Sequence, residues 1–179
     1  AEQPFGFVGA NNRPALAQFW RNQLADWAQR LVGRAGLKGL NSLDFIFDGR
    51  DCWVLEINAR PSTTLALYDE DFATGLLAAH VCACAGQLPE VIPAASPRAL
   101  RIVFAPCRLV LPVGAQWPPW CVDLPLAGTV IEAGQPLCSV LVAGAEQALL
   151  RLSLQREQAV LNSIVQSSNA ERGNDKYCH

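Results

Sequence analysis

The chain has 179 residues, 51% of them hydrophobic and 17% charged, with a net charge of −2. That length holds one domain or two small ones with enough apolar side chains for a core, and the near-neutral charge offers no basic surface for nucleic acid or an anionic membrane. Apolar runs are broken by charge or proline short of the roughly 18 residues of a membrane span, and no basic segment followed by an apolar run opens the chain.

Residues 1–13 read as a strand end and a polar loop, closed by Asn11-Asn12-Arg13-Pro14. From Ala15 to Arg34, apolar residues recur at Leu16, Phe19, Trp20, Leu24, Trp27, Ala28 and Leu31. That is the 3.6-residue period of an amphipathic helix, which Gly33 and Gly36 stop. Aromatic residues at this spacing are core packing, so Trp20 and Trp27 are expected to be core.

The most informative stretch follows. Two runs rich in aromatic and β-branched residues flank Asp48-Gly49, the signature of a β-hairpin. Asp44 lies in its first strand, and Glu56, Asn58 and Arg60 alternate along the second. Residues two apart on a strand share a face. Carboxylates and a carboxamide supply the hard oxygens that Mg²⁺ takes alongside nucleotide phosphates, and an arginine can hold a phosphate or a developing oxyanion. The residues alone fit a merely solvated outer face equally well.

Counting separates two registers. If Asp44 and Glu56 share a metal they must face each other across the ladder, so paired positions sum to 100 and the turn centres on Arg50. A two-residue turn at Asp48-Gly49 gives a sum of 97, which sets Asp44 opposite Trp53 and turns Glu56 to the other face. The metal reading therefore requires an odd-numbered loop centred on Arg50, or a bulge that restores parity.

After the hairpin, Pro61-Ser62-Thr63-Thr64 reads as a turn, and Asp71 to Cys84 as a helix containing His80. That histidine has no carboxylate or second histidine at helical spacing and is expected to be packed or at a solvent edge, without a catalytic role. Gly86, Pro89, Pro93 and Pro97 mark a linker. Strands are expected at Leu100–Ala105, Cys107–Leu111, Gly128–Ile131 and Pro136–Val142, with a rigid turn at Trp117-Pro118-Pro119-Trp120. A helix is expected from Ala145 to Gln166, then a polar, disordered tail. The domains predicted are 1–93, 94–166 and the tail 167–179. The seven cysteines are odd in number and irregularly spaced. Cys52, Cys107 and Cys138 sit in apolar runs as small core residues do, so reduced structural thiols are expected.

Asp44 followed by Glu56-Ile57-Asn58-Ala59-Arg60 resembles the metal-binding signature of the ATP-grasp ligases, an acidic residue and then E-x-N-x-R. The approach Gly36-Leu37-Lys38-Gly39-Leu40-Asn41-Ser42 is similar to the segment leading into that family's hairpin. The run from Trp117 to Val140 resembles the C-terminal domain of a subgroup related to biotin carboxylase, predicted carboxylate–amine ligases that include tyramine–glutamate ligase. Trp117 and Trp120 are then expected to staple this small domain to the ligase body, the alternative being that they line a substrate surface with Asp123. The resemblance implies an α+β fold: the C-terminal half of an ATP-grasp fold, an antiparallel sheet with helices, then a small β-rich domain with a terminal helix. It implies ATP with Mg²⁺ or Mn²⁺, metal ligation by Asp44, Glu56 and Asn58, and a catalytic Arg60 on the transferred phosphoryl group or oxyanion. Ile46 corresponds to the apolar floor of the adenine, and Asn41 falls on the nucleotide side. A small-molecule carboxylate and an amine are the implied substrates, joined through an acyl phosphate; the reduced thiols expected above point to the cytoplasm.

Only Lys38 and Lys176 are lysines, and no glycine-rich loop precedes Asp44, although phosphoryl-transfer enzymes cradle the nucleotide with both. The expectation is a C-terminal piece of a longer ligase, inactive alone and completed by an N-terminal half or partner subunit. The competing expectation is a non-catalytic binding or assembly module that keeps the hairpin. The Gly128-Thr129-Val130-Ile131-Glu132-Ala133-Gly134 turn resembles those of biotinyl carriers, but it lacks the lysine a carrier needs.

Overall fold

The computed structural model describes residues 6–13, 15–92 and 96–171, with 165–171 described by backbone alone. In chain order the elements are β1 (Gly9–Asn11), α1 (Gln18–Ala35), β2 (Ser42–Phe47), β3 (Cys52–Asn58), a 3-10 stretch (Thr63–Asp71), α2 (Leu76–Cys84), β4 (Arg98–Phe104), β5 (Leu109–Val110), β6 (Cys121–Val122), β7 (Val130–Ile131), β8 (Pro136–Ala143), a 3-10 turn (Glu146–Ala148) and α3 (Leu149–Glu171). The fold is α+β, with antiparallel sheets and few helices. The chain divides into two compact units: the residues from Pro14 to Ala95, and the chain up to Arg13 together with that from Ser96 on.

In the first unit, Gly36 ends α1 in a left-handed conformation (φ 63°), and its N–H reaches back to Val32 O. Trp20 meets Phe47 edge to face at a centroid distance of 5.9 Å, and Trp27 at 6.4 Å. Both tryptophans are half-buried, and α1 has no fully buried residue. α2 starts later than its apolar period suggests. Gly75 (φ 78°) interrupts the chain, Leu76 N–H is capped by Asp69 Oδ1 at 2.8 Å, and Phe72 forms a β-bridge with Val91. The preceding residues therefore coil as a 3-10 stretch.

In the second unit, β1, β4, β8 and β6 form an antiparallel sheet in that order, and β5 pairs with β7. The domain expected over 1–93 places β1 with the hairpin. It pairs instead with β4, Gly9 opposite Arg101, and a Cβ on Gly9 would lie 2.4 Å from Leu100 O. That close approach explains the glycine. β8 is covered on both faces: Leu137, Cys138, Ser139 and Val140 are all buried. Val103, Leu109, Leu137, Val140, Val160 and Ile164 belong to one core. Trp117 and Trp120, the expected staples to the ligase body, pack against this core of their own unit, and Arg156 lies over the Trp120 ring at 4.9 Å. β6, which follows the prolyl turn, is a strand beyond those expected.

Arg101 Nε and Glu157 Oε2 form a half-buried ion pair at 2.5 Å between β4 and α3. α3 continues past Gln166 to Glu171 because no helix breaker intervenes and propagation adds a bond per residue. The rest of the expected tail, 172–179, lies outside the described residues. Burial pushes the Cys138 thiol up to about 12, keeping it protonated and inert. Cys107, half-buried at the edge of this core, is disulfide-bonded rather than the thiol expected. Among the described residues, no helix is long and apolar enough to cross a membrane.

Candidate functional site

The β2–β3 register settles the parity question. Phe47 pairs with Cys52, Ile46 with Trp53 and Phe45 with Val54, each pair summing to 99. The loop is therefore the four residues 48–51. Asp48 N–H donates to Asp51 O, and Asp48 Oδ1 accepts from Arg50 N and Asp51 N at 2.8 Å each. These bonds hold the Asp48 carboxyl below the usual carboxylate range. Gly49 supplies the positive φ of 98° at the tip, so the bend is one residue later than an Asp48-Gly49 turn.

Continued unbroken, that register would set Asp44 opposite Leu55 and turn Glu56 away. The ladder shifts between Asp44 and Phe45: Leu55 has no partner, and Asp44 pairs with Glu56, then Leu43 with Ile57 and Ser42 with Asn58. A β-bulge at Leu55 thus brings both carboxylates to one face. It also breaks strict alternation along β3. Val54 and Glu56 are two apart yet face opposite ways, and Trp53 joins the Glu56 face.

The three expected ligands are brought together. Asn58 Nδ2 donates to Asp44 Oδ2 and to Glu56 Oε1, both at 3.1 Å. Asp44 and Glu56 are exposed, and neither is ion-paired with a described cation. Like charges directly opposite in a ladder are destabilising, so this pair costs stability unless a cation joins it. The donor set suits a hard ion: two carboxylates, and a carboxamide that turned over presents Oδ1. Among the described residues no group of three or more His, Cys, Asp or Glu could hold a metal. Two carboxylates and one carboxamide form an open shell that leaves positions for water or phosphate oxygens, the kind of site Mg²⁺ takes.

Arg60 is not joined to this set. β3 ends at Asn58, whose partner Ser42 is the first residue of β2, so there is no strand for residue 60 to pair with. Arg60 is exposed and its Nη1 donates to Pro61 O at 3.4 Å. The expected shared strand face therefore stops at Asn58. Asn41 sits just before β2, and its Nδ2 closes a local turn by donating to Gly39 O at 2.9 Å and Lys38 O at 3.3 Å. Ile46 is 53% exposed on the Asp44 face.

Three further residues of this region were not among those expected to serve the site. Ser42 shares the Asp44 face by alternation, a legible signal, and its Oγ is buried without a hydrogen-bond partner. Trp53, 49% exposed, stands opposite Ile46, two rungs from the carboxylates and on their face. Only the bulge puts it there. His80 bonds the loop before β2, and nothing in helical spacing announces that contact.

No family model matches the sequence, and no curated protein matches it. Solved structures share the fold. An N5-carboxyaminoimidazole ribonucleotide synthetase from Thermus thermophilus has a TM-score of 0.62 at 14% identity, over 86% of this chain and 42% of that one. An ADP complex of an N5-carboxyaminoimidazole ribonucleotide synthetase has a TM-score of 0.60 at 12% identity, over 90% and 42%. The biotin carboxylase domain of a single-chain bacterial carboxylase has a TM-score of 0.62 at 19% identity, over 87% and 41%. The chain thus has an ATP-grasp-like fold over most of its length and spans less than half the length of these neighbours.

Proposed function

We propose that this chain supplies the metal- and phosphate-binding hairpin of an ATP-dependent ligase that joins a small-molecule carboxylate to an amine. The observation that carries the reading is the convergence of Asp44, Glu56 and Asn58 through a bulge that local turn chemistry does not require. Support comes from the fold, which an ADP-bound synthetase shares.

Asp44, Glu56 and Asn58 hold one or two Mg²⁺ or Mn²⁺, which when bound neutralise the charge of the terminal phosphates. A carboxylate oxygen of the substrate attacks the γ-phosphorus of ATP as the bond to ADP breaks, giving an acyl phosphate. The amine nitrogen then attacks the acyl carbon, phosphate leaves with the bonding electrons, and the nitrogen gives up a proton. Arg60, exposed beyond the end of β3, binds the transferred phosphoryl group or the oxyanion of the tetrahedral intermediate. Ile46 floors the adenine, and Asn41 holds the loop on the nucleotide side. The nucleotide's remaining contacts come from an N-terminal half or a partner subunit. Exposed Phe45, Val54, Leu77 and Val81 give such a body an apolar surface to cover.

The test is Mn²⁺ added to the ¹⁵N-labelled chain. The amides of Asp44, Glu56 and Asn58 broaden first, and Glu56→Gln weakens the effect about tenfold or more, as loss of a contact to a charged group does. Its circular dichroism matches the wild type. Broadening centred elsewhere, or indifferent to Glu56→Gln, overturns the reading.

A further inference from the structure

His80 is half-buried on α2, and the sequence gives it no chemical partner on its own helix face except Cys84. The structure shows what it does hold. Its Nδ1 accepts the N–H of Leu40 at 3.0 Å. Gly39 lies directly against the ring: a Cβ there would sit 2.7 Å from His80 Cε1 and Nδ1 and from Cys84 Sγ, and its φ is +73°. Gly39 is thus required both by backbone conformation and by the approach of the imidazole. For Nδ1 to accept, the ring proton must be on Nε2, and Nε2 faces Cys84 Sγ at 3.7 Å.

The segment 38–41 precedes the first rung of β2, so the sheet ladder does not pair its polar groups. Three of them are met by two side chains instead: His80 Nδ1 accepts the Leu40 N–H, and Asn41 Nδ2 donates to the carbonyls of Lys38 and Gly39. This segment delivers the chain to Ser42, whose partner in the ladder is Asn58. Asn58 is the residue that bonds both carboxylates. A loose segment 38–41 frays that terminal rung first.

We propose that His80 is a positioning residue for the hairpin site, a latch whose Nδ1 fixes the Leu40 amide and so holds the Ser42–Asn58 rung in place. The latch itself stands on geometry alone; its consequence for ligand binding rests on the metal reading above. Two substitutions separate its nitrogens. Asn presents Oδ1 near the position of Nδ1 and can still accept from Leu40, whereas Gln reaches only toward the position of Nε2.

The experiment uses the whole chain with Mn²⁺ as probe. In the wild type, ¹⁵N shifts of the imidazole show Nε2 protonated and Nδ1 accepting. His80→Asn leaves the Leu40 amide resonance near its place and the Mn²⁺ affinity within about twofold, whereas His80→Gln moves that resonance and weakens Mn²⁺ binding roughly three- to tenfold, the scale of one neutral hydrogen bond. A proton on Nδ1, an unmoved Leu40 amide in His80→Gln, or equal Mn²⁺ loss in both variants overturns the inference. A wild type with the stated tautomer and a Leu40 amide that responds to His80→Gln, but with no Mn²⁺ effect at Asp44, Glu56 and Asn58, overturns the metal reading and leaves the latch standing. If His80→Gln does not fold, the wild-type tautomer and the His80→Asn arm still decide.

Discussion

β8 and β3 are antiparallel strands of eight and seven residues, and their side chains are used in opposite ways. β8 runs through the middle of its sheet, with Leu137, Cys138, Val140 and Val142 buried and even Ser139 inside. Its sequence answers to packing, so nearly any change there is felt as stability. β3 leaves Trp53, Val54, Leu55 and Glu56 exposed, sets a carboxylate opposite a carboxylate, and spends a residue on a bulge. None of these choices helps the hairpin fold. A strand that breaks local rules without a stabilising return is where a site is expected.

The widest separation between the two strands is in stability. Leu137→Ala empties a fully buried position and lowers unfolding free energy by about 2–5 kcal/mol, read from urea melts. Glu56→Gln removes one member of a like-charged, exposed pair and shifts the same melts by less than about 0.5 kcal/mol in either direction. If Glu56→Gln destabilises as much as Leu137→Ala, the hairpin face is structural and the contrast collapses.

Within the hairpin, the loop is the part that local chemistry does determine. The Asp48 carboxylate organises it by accepting two backbone N–H groups. Because those bonds depress its folded pKa below 3.8, the stabilisation is present above the unfolded value and is lost as pH falls through the folded one. The loop is therefore ordered at neutral pH and loosens only in acid. Asp48→Asn keeps an acceptor and leaves the Arg50 and Asp51 amide shifts near wild type at pH 7, whereas Asp48→Ala disperses them. A carboxyl titration of Asp48 at or above the ordinary value sinks this account.

Much of this architecture is legible in the sequence itself. The helical period of α1, the Asp-Gly punctuation and the spacing from Asp44 to Asn58 all come from side-chain repeat and turn chemistry, which are local. What is not legible depends on contacts distant in sequence. The pairing of β1 with β4 joins Gly9 to Arg101, and the bond between Leu40 and His80 spans forty residues. Strict alternation also misleads. It places Arg60 with Glu56 and Asn58, although the ladder ends where β2 begins, and it hides Trp53, which only the bulge turns toward the carboxylates.

The bulge gives the smallest expected effect and the sharpest use of the comparison. Leu55 is the one residue of β3 without a partner, and it is 59% exposed. Deleting it makes Val54 and Glu56 neighbours, which alternation then sends to opposite faces, as they already are. Every pair from Ser42–Asn58 to Phe47–Cys52 survives in one continuous ladder. The deletion is therefore expected to keep Asp44 and Glu56 opposed and Mn²⁺ affinity within about threefold, a change of under roughly 1 kcal/mol. Inserting a second residue beside Leu55 does the reverse: the turn-side pairs hold while Glu56 slides from Asp44 to a place opposite Ser42, on the same face but no longer paired with Asp44, and the Mn²⁺ effect at Asp44 and Asn58 weakens. Equal tolerance of the deletion and the insertion would mean that direct opposition of Asp44 and Glu56 does not govern the site, and the pairing of the two carboxylates could no longer carry its chemistry.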